Sequence, residues 1–257
     1  MDDLLRKIEK KKLLFSVTTG RSGTNYLSFL LSLLKDTRSE HEGKPGFHEY
    51  YRDILQGKYT FNEFWLKKKL PYIANEIEEG YYADVSHVAC KGFLEPLLEL
   101  GIKPSFVLIK RNNRDVAKSL LQLNTIPLRT NLGLTYLNSP SDPGVLKLVC
   151  NYEELTDYQL CFWYTLEMDR RLSFYKQYFI DQGCPYVYIT FEELIGGEGI
   201  TKIRKELDLP PMSVLGWLRF LRNKKAPLND KKASKRNLIP VDFDEEEIML
   251  RDVIQWQ

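Results

Sequence analysis

Residues 13–34 constrain the fold more than any other part of this chain. Leu13-Leu14-Phe15-Ser16-Val17-Thr18 is a short apolar and β-branched run, the pattern of a strand buried on both faces. A turn with two glycines follows, Thr19-Gly20-Arg21-Ser22-Gly23-Thr24. Residues 25–34 are then apolar on nearly every side, as a helix buried against a sheet must be. Strand, glycine turn and buried helix together open a βαβ unit.

The rest of the chain repeats that alternation. A short strand ending near Ser39, then Tyr81-Tyr82-Ala83-Asp84-Val85, residues 104–109 and Tyr186-Val187-Tyr188-Ile189-Thr190 read as further strands. Helical patterns fill residues 50–80, 92–100, 113–123 and 152–182, with shorter ones around 199–207 and 212–222. Residues 124–150 carry Pro, Gly, Asn and Ser without periodicity, and a connection that long is usually functional. Residues 224–237 read as a basic loop, and the acidic-then-apolar tail as a last helix. With 257 residues, no repeat and no linker, the expectation is one α/β domain: a central five-stranded parallel sheet flanked by helices, with a P-loop-like phosphate-binding turn.

Charge and cysteine content narrow the function classes. The net charge of +2 supplies no global field for nucleic acid, so any anion site must arise from local clustering. The basic 224–236 stretch lacks the aromatic interleaving of an RNA-binding surface. Cys90, Cys150, Cys161 and Cys184 are too scattered for a metal pair or a disulfide framework. No apolar run is long enough for a secretory leader or a membrane span. A cytoplasmic protein without nucleic-acid or membrane partners is expected.

The turn at 19–24 can bind an anion for three reasons. Gly20 and Gly23 let backbone amides approach a ligand, the helix N-terminus adds partial positive charge, and Arg21 adds a fork of donors matched to phosphate or sulfate. Alone, this pattern is as compatible with a plain turn. The nucleotide-triphosphatase pattern requires Gly-Lys-Ser/Thr, but Gly23 is followed by Thr24 and no Lys is present. A second basic strand-to-helix junction, Lys110-Arg111-Asn112-Asn113-Arg114-Asp115, leads to Ser119 two helical turns on. Ligands of parallel sheets lie at the carboxyl ends of the strands, where both junctions fall, so a bisphosphate ligand fits.

The two motifs together resemble those of the sulfotransferases that use 3′-phosphoadenosine 5′-phosphosulfate (PAPS). Arg21-Ser22-Gly23-Thr24 is similar to that family's 5′-phosphosulfate loop. Arg111 with Ser119 is similar to its 3′-phosphate motif, and Ile189-Thr190-Phe191-Glu192-Glu193-Leu194 to its segment after the fifth strand. The likeness spans about residues 13–207 and leaves the 224–257 loop and tail aside. It implies transfer of a sulfuryl group to a hydroxyl or amine of a small-molecule or carbohydrate acceptor, with no metal required. By resemblance, Gly20, Arg21, Ser22, Gly23, Thr24 and Asn25 cradle the phosphosulfate, with Arg21 also acting in catalysis at the bridging oxygen. Tyr26 and Phe191 would line the adenine pocket, Arg111 and Ser119 would hold the 3′-phosphate, and Lys235 and Arg236 would add donors. A P-loop nucleotide kinase or triphosphatase, or a catalytically silent nucleotide-binding protein, are the alternatives.

Sulfuryl transfer needs a base within hydrogen-bond reach of the acceptor. The candidates rank Glu42, then His87, then His41, all near carboxyl ends of expected strands. Residues 43–80 and 124–150 are expected to wall the acceptor pocket; they hold Tyr50, Tyr51, Trp65, Tyr72, Tyr136 and Lys67-Lys68-Lys69, most of which are expected in the core or on the surface.

Overall fold

The structure, a computed structural model, describes residues 2–77, 80–223 and 241–255. Its strands are β1 (Lys11–Thr18), β2 (Thr37–His41), β3 (Gly80–Val85), β4 (Ser105–Lys110), β5 (Lys147–Leu148), β6 (Tyr186–Thr190) and β7 (Ile254–Gln255). The helices of the first half are α1 (Asp2–Glu9), α2 (Thr24–Ser32), α3 (Phe47–Leu55), α4 (Phe61–Phe64), α5 (Leu70–Glu76), α6 (Leu94–Glu99) and α7 (Asn113–Gln122). Those of the second half are α8 (Asn131–Tyr136), α9 (Asp157–Asp181), α10 (Phe191–Gly196), α11 (Glu198–Glu206), α12 (Val214–Asn223) and α13 (Phe243–Asp252).

Five strands form one parallel sheet in the order β2-β3-β1-β4-β6, as the alternation of patterns requires. β1 is central and buried from Leu13 to Thr18, because both its faces are covered. Leu13, Phe15 and Val17 join a cluster with Trp163, Tyr164 and Tyr175 of α9. Leu14 joins the opposite cluster, with Leu27, Leu30 and Leu31 of α2 and Ile200 and Ile203 of α11. The chain runs from β1 to β2 and β3 on one side, then to β4 and β6 on the other. That reversal opens a crevice above the carboxyl end of β1.

Several elements differ from the sequence reading. β2 continues to His41, so Glu40 and His41 belong to the strand and Glu42 is the first residue beyond it. In place of one helix over residues 50–80, the described residues up to Glu76 form a broken series of helices with a π-helical turn at Trp65–Lys69, and Gly80 opens β3. Residues 124–150 are not structureless. They hold α8, and β5, which pairs antiparallel with β7. A two-residue strand is too short to show a period, and its partner lies far along the chain. Residues 224–240, which include the candidates Lys235 and Arg236, lie outside the described residues. Among the described residues no helix is long and apolar enough to cross a membrane.

One buried ion pair anchors the loop after β2. Lys69 Nζ lies 2.5 Å from Asp84 Oδ2, both side chains fully buried, and also donates to the carbonyls of Gly43 and Pro45 at 2.9 and 3.2 Å. The Gly43 amide donates to Asp84 Oδ1 at 3.2 Å. These bonds tie the 43–45 loop to β3 and so set where Glu42 stands. Lys69→Met leaves a buried carboxylate without its cation. It is expected to lower unfolding free energy by about 3–5 kcal/mol in urea denaturation, with most of that recovered when Asp84→Leu is added.

Candidate functional site

The turn after β1 is left-handed at three of its residues: Gly20 at φ +74°, Arg21 at +53° and Gly23 at +86°. Two of them are also tightly surrounded. A Cβ on Gly20 would sit 3.0 Å from the His87 ring, and one on Gly23 3.1 Å from Leu194 and 3.2 Å from Phe191. Outside donors hold the carbonyls of the turn. Tyr164 of α9 donates to the Thr19 oxygen at 2.9 Å, and Arg111 Nη1 donates to the Arg21 oxygen at 2.6 Å. Ser22 is buried and its hydroxyl pairs with that of Thr18. Among the described residues the amides of Arg21, Ser22 and Gly23 have no acceptor, and α2 begins at Gly23 without a side-chain cap. Unpaired amides at a helix start make an anion cradle.

Two guanidinium groups converge on this cradle. Arg21 Nε donates to Ser119 Oγ at 3.1 Å, which links the first junction to α7. Arg111, just past β4, lies with its guanidinium carbon 4.3 Å from the centre of the Phe191 ring, and its Nε is buried with no partner among the described residues. Burial, then repulsion from Arg111, pulls the Arg21 pKa below its ordinary value. Neither arginine pairs with a carboxylate among the described residues. Two adjacent cations, one of them with a buried donor that has no partner among the described residues, suit an anionic ligand. Ser119 and Phe191 lie against the turn, though neither borders the cavity above it. Tyr26 instead stacks on Phe29 at 6.2 Å and does not border the cavity above the turn. Thr190 and Glu193 form the capping box of α10, a helix-start role for part of the third motif.

A carboxylate–imidazole cluster stands beside the cradle. Glu42 Oε1 accepts from His87 Nδ1 at 2.9 Å, and Oε2 accepts from Ser86 Oγ at 2.6 Å. His48 Nδ1 is 3.7 Å from Oε2, a close neighbour but not a hydrogen bond. Burial disfavours the Glu42 anion, yet His48, His87 and the Ser86 hydroxyl more than offset this and hold the carboxyl well below its usual range. For His87, burial outweighs the pull of Glu42 and keeps the imidazole below its ordinary value. His41 Nε2 lies 2.9 Å from the Thr24 hydroxyl, so it faces the start of α2.

A cavity of about 380 Å³ joins these groups. One side is the turn with Arg21, Thr24 and Asn25, and a second is His41, Glu42 and His87. The remaining wall is Leu120, Thr125, Leu132, Tyr136 and Leu137. Tyr136 stacks on both His48 and His87, with ring centres 4.8 and 5.8 Å apart. Of the aromatic and basic residues that residues 43–80 and 124–150 hold, Tyr136 borders this cavity, and the core takes others, as expected for most of them. Tyr51 and Trp65 are fully packed in the core, and Lys69 is consumed by Asp84. The leucines of the wall were missed because their segment shows no period, and His48 because its role depends on a fold of the loop that only Lys69 and Asp84 define. A cavity of about 310 Å³ at the opposite, amino ends of the strands contains none of the candidate residues.

No family model matches the chain, and no curated protein matches it. The functional reading therefore rests on the motifs and on this geometry. Gly20→Ala must place an alanine in a left-handed conformation against the His87 ring. An unfolding titration is expected to show a loss of about 1–2 kcal/mol, and anion binding at the turn should fall with it.

Proposed function

We propose that this protein transfers a sulfuryl group from PAPS to a hydroxyl or amine of a small-molecule or carbohydrate acceptor. The observation that carries the reading is the meeting of Arg21 and Arg111 over uncapped amides of α2, with no carboxylate partner among the described residues. The orphaned Arg111 Nε fits a phosphate held at the second junction. In the transfer, a bond forms from the acceptor oxygen or nitrogen to sulfur, the bond from sulfur to the bridging oxygen breaks, and adenosine 3′,5′-bisphosphate leaves. Arg21 is the cation that steadies charge on that oxygen.

The acceptor's proton goes to His87 in this reading. Its Nδ1 is committed to Glu42, which leaves Nε2 as the ring's acceptor. Glu42, held ionised, is a weak base but a good orienting group, and it steadies the imidazolium that forms. The geometry thus favours His87 over Glu42 as the base. His41, on the Thr24 hydroxyl, positions the cradle.

Adenosine 3′,5′-bisphosphate at about a hundredfold over its Kd is expected to raise the melting temperature by about 5–10 °C, with little effect from ATP-Mg. Stabilisation by ATP-Mg alone would instead mark a kinase or triphosphatase. Bisphosphate binding without transfer to any acceptor would mark a silent nucleotide-binding protein. Arg111→Ala should weaken bisphosphate binding about 10–100-fold in calorimetry.

The pH profile tests the base. His87 must be neutral to accept a proton, and its pKa is depressed, so turnover should fall only as the pH drops through a midpoint below 6.5. Glu42→Gln removes the group that raises that pKa, so the midpoint should move lower still while turnover drops. His87→Ala should cost about 10²–10⁴-fold in kcat with bisphosphate affinity retained. Near wild-type turnover in His87→Ala rules out this assignment.

A further inference from the structure

The acceptor wall of the cavity has a composition that selects what can bind there. We infer that the acceptor is an uncharged small molecule whose hydroxyl is carried on a compact apolar ring system, and that polyanionic sugars are excluded. This rests on the sulfotransferase reading of the same site.

Sugar recognition needs several polar side chains to satisfy ring hydroxyls, because a buried hydroxyl without a partner is costly. The wall from residues 120–137 offers only Thr125 and Tyr136, and Thr125 Oγ1 already donates to the Leu123 carbonyl at 3.4 Å. Leu120, Leu132 and Leu137 make up the rest, and Tyr136 adds a flat ring already aligned with His87. An apolar ring can bury against such a wall without stranding polar groups.

The charges around the cavity point the same way. Two basic residues approach this wall, but both are spent on its backbone. Arg52 donates to the carbonyls of Leu134 and Leu137 and pairs with Asp142 at 2.8 Å. Lys91, only 3% exposed, donates to the Tyr136 carbonyl. These bonds hold the wall in place from behind, and among the described residues no cation of residues 120–137 lines the cavity. Arg21 borders the cavity from the donor side and is linked to Ser119. Glu42 presents a carboxylate, which repels an acceptor bearing its own anion. The cavity of about 380 Å³ has room for the sulfuryl end and one or two fused rings of an acceptor.

The test uses the full chain and begins with adenosine 3′,5′-bisphosphate binding by calorimetry. Sulfuryl transfer from radiolabelled PAPS is then measured to 2-naphthol, to 6-hydroxy-2-naphthoate and to a chondroitin oligosaccharide. The expected result is transfer to 2-naphthol with kcat/KM at least about tenfold above that for the carboxylated analogue, and no transfer to the oligosaccharide. Leu132→Lys, at a half-exposed position that tolerates the change, should shrink the gap between the two naphthols by about tenfold, with bisphosphate affinity unchanged. Bisphosphate binding together with equal use of the carboxylated naphthol, or with transfer to the oligosaccharide, overturns this inference alone; bisphosphate binding with transfer to none of the three overturns it together with the transferase reading. Absence of bisphosphate binding overturns it together with the donor reading.

Discussion

β1 has a parallel neighbour on each side and packed side chains on both faces. Enclosed in that way, the chain can leave the sheet only beyond Thr18, into the crevice between the two halves of the sheet. It must also turn back at once to lay α2 on the covered face. A reversal this sharp places Gly20, Arg21 and Gly23 in left-handed conformations. Arg21 is the informative member, because a long side chain at positive φ is strained and persists only where its surroundings hold it. Here Arg111 grips its carbonyl and Ser119 meets its guanidinium.

Electrostatically the site is divided. On the donor side, two guanidinium groups face one another without a carboxylate among the described residues. Next to it, Glu42 takes hydrogen bonds from His87 and Ser86 and stays ionised despite burial. In the proposed reading, the cationic half receives the leaving anion and the imidazole backed by a carboxylate takes the departing proton. The buried Lys69–Asp84 pair keeps them in register, since it fixes the loop between Glu42 and α3.

Most of the sheet was legible in the sequence because β1, β4 and β6 carry apolar or β-branched runs, whereas β2, Thr37-Arg38-Ser39-Glu40-His41, is polar and ends two residues beyond the expected Ser39. The turn was legible because its glycines take positive φ close against the rings of His87 and Phe191. The pairing of Glu42 with His87 was not. Both were candidates for one role, and only the parallel register of β2 against β3 brings them within 2.9 Å of each other. The acceptor wall was hidden for a different reason. Its leucines sit in a segment with no repeat, shaped by Arg52 and Lys91 from elsewhere in the chain. Most of the rings of residues 43–80 serve the core around Phe47, Phe64 and Phe93, the fate expected for most of them.

The bonds between the two basic junctions are reciprocal. Arg111 reaches from the β4 end to the backbone of Arg21, and Arg21 reaches from the β1 end to the side chain of Ser119. The two ends of the crevice are therefore cross-braced, and neither arginine is an independent part. Removing one releases the other as well as its own contacts, so the losses from single substitutions overlap and sum to more than the loss from the double. A ligand spanning both junctions would meet a site already assembled, and the ordering of each arginine would be shared between them instead of being required twice.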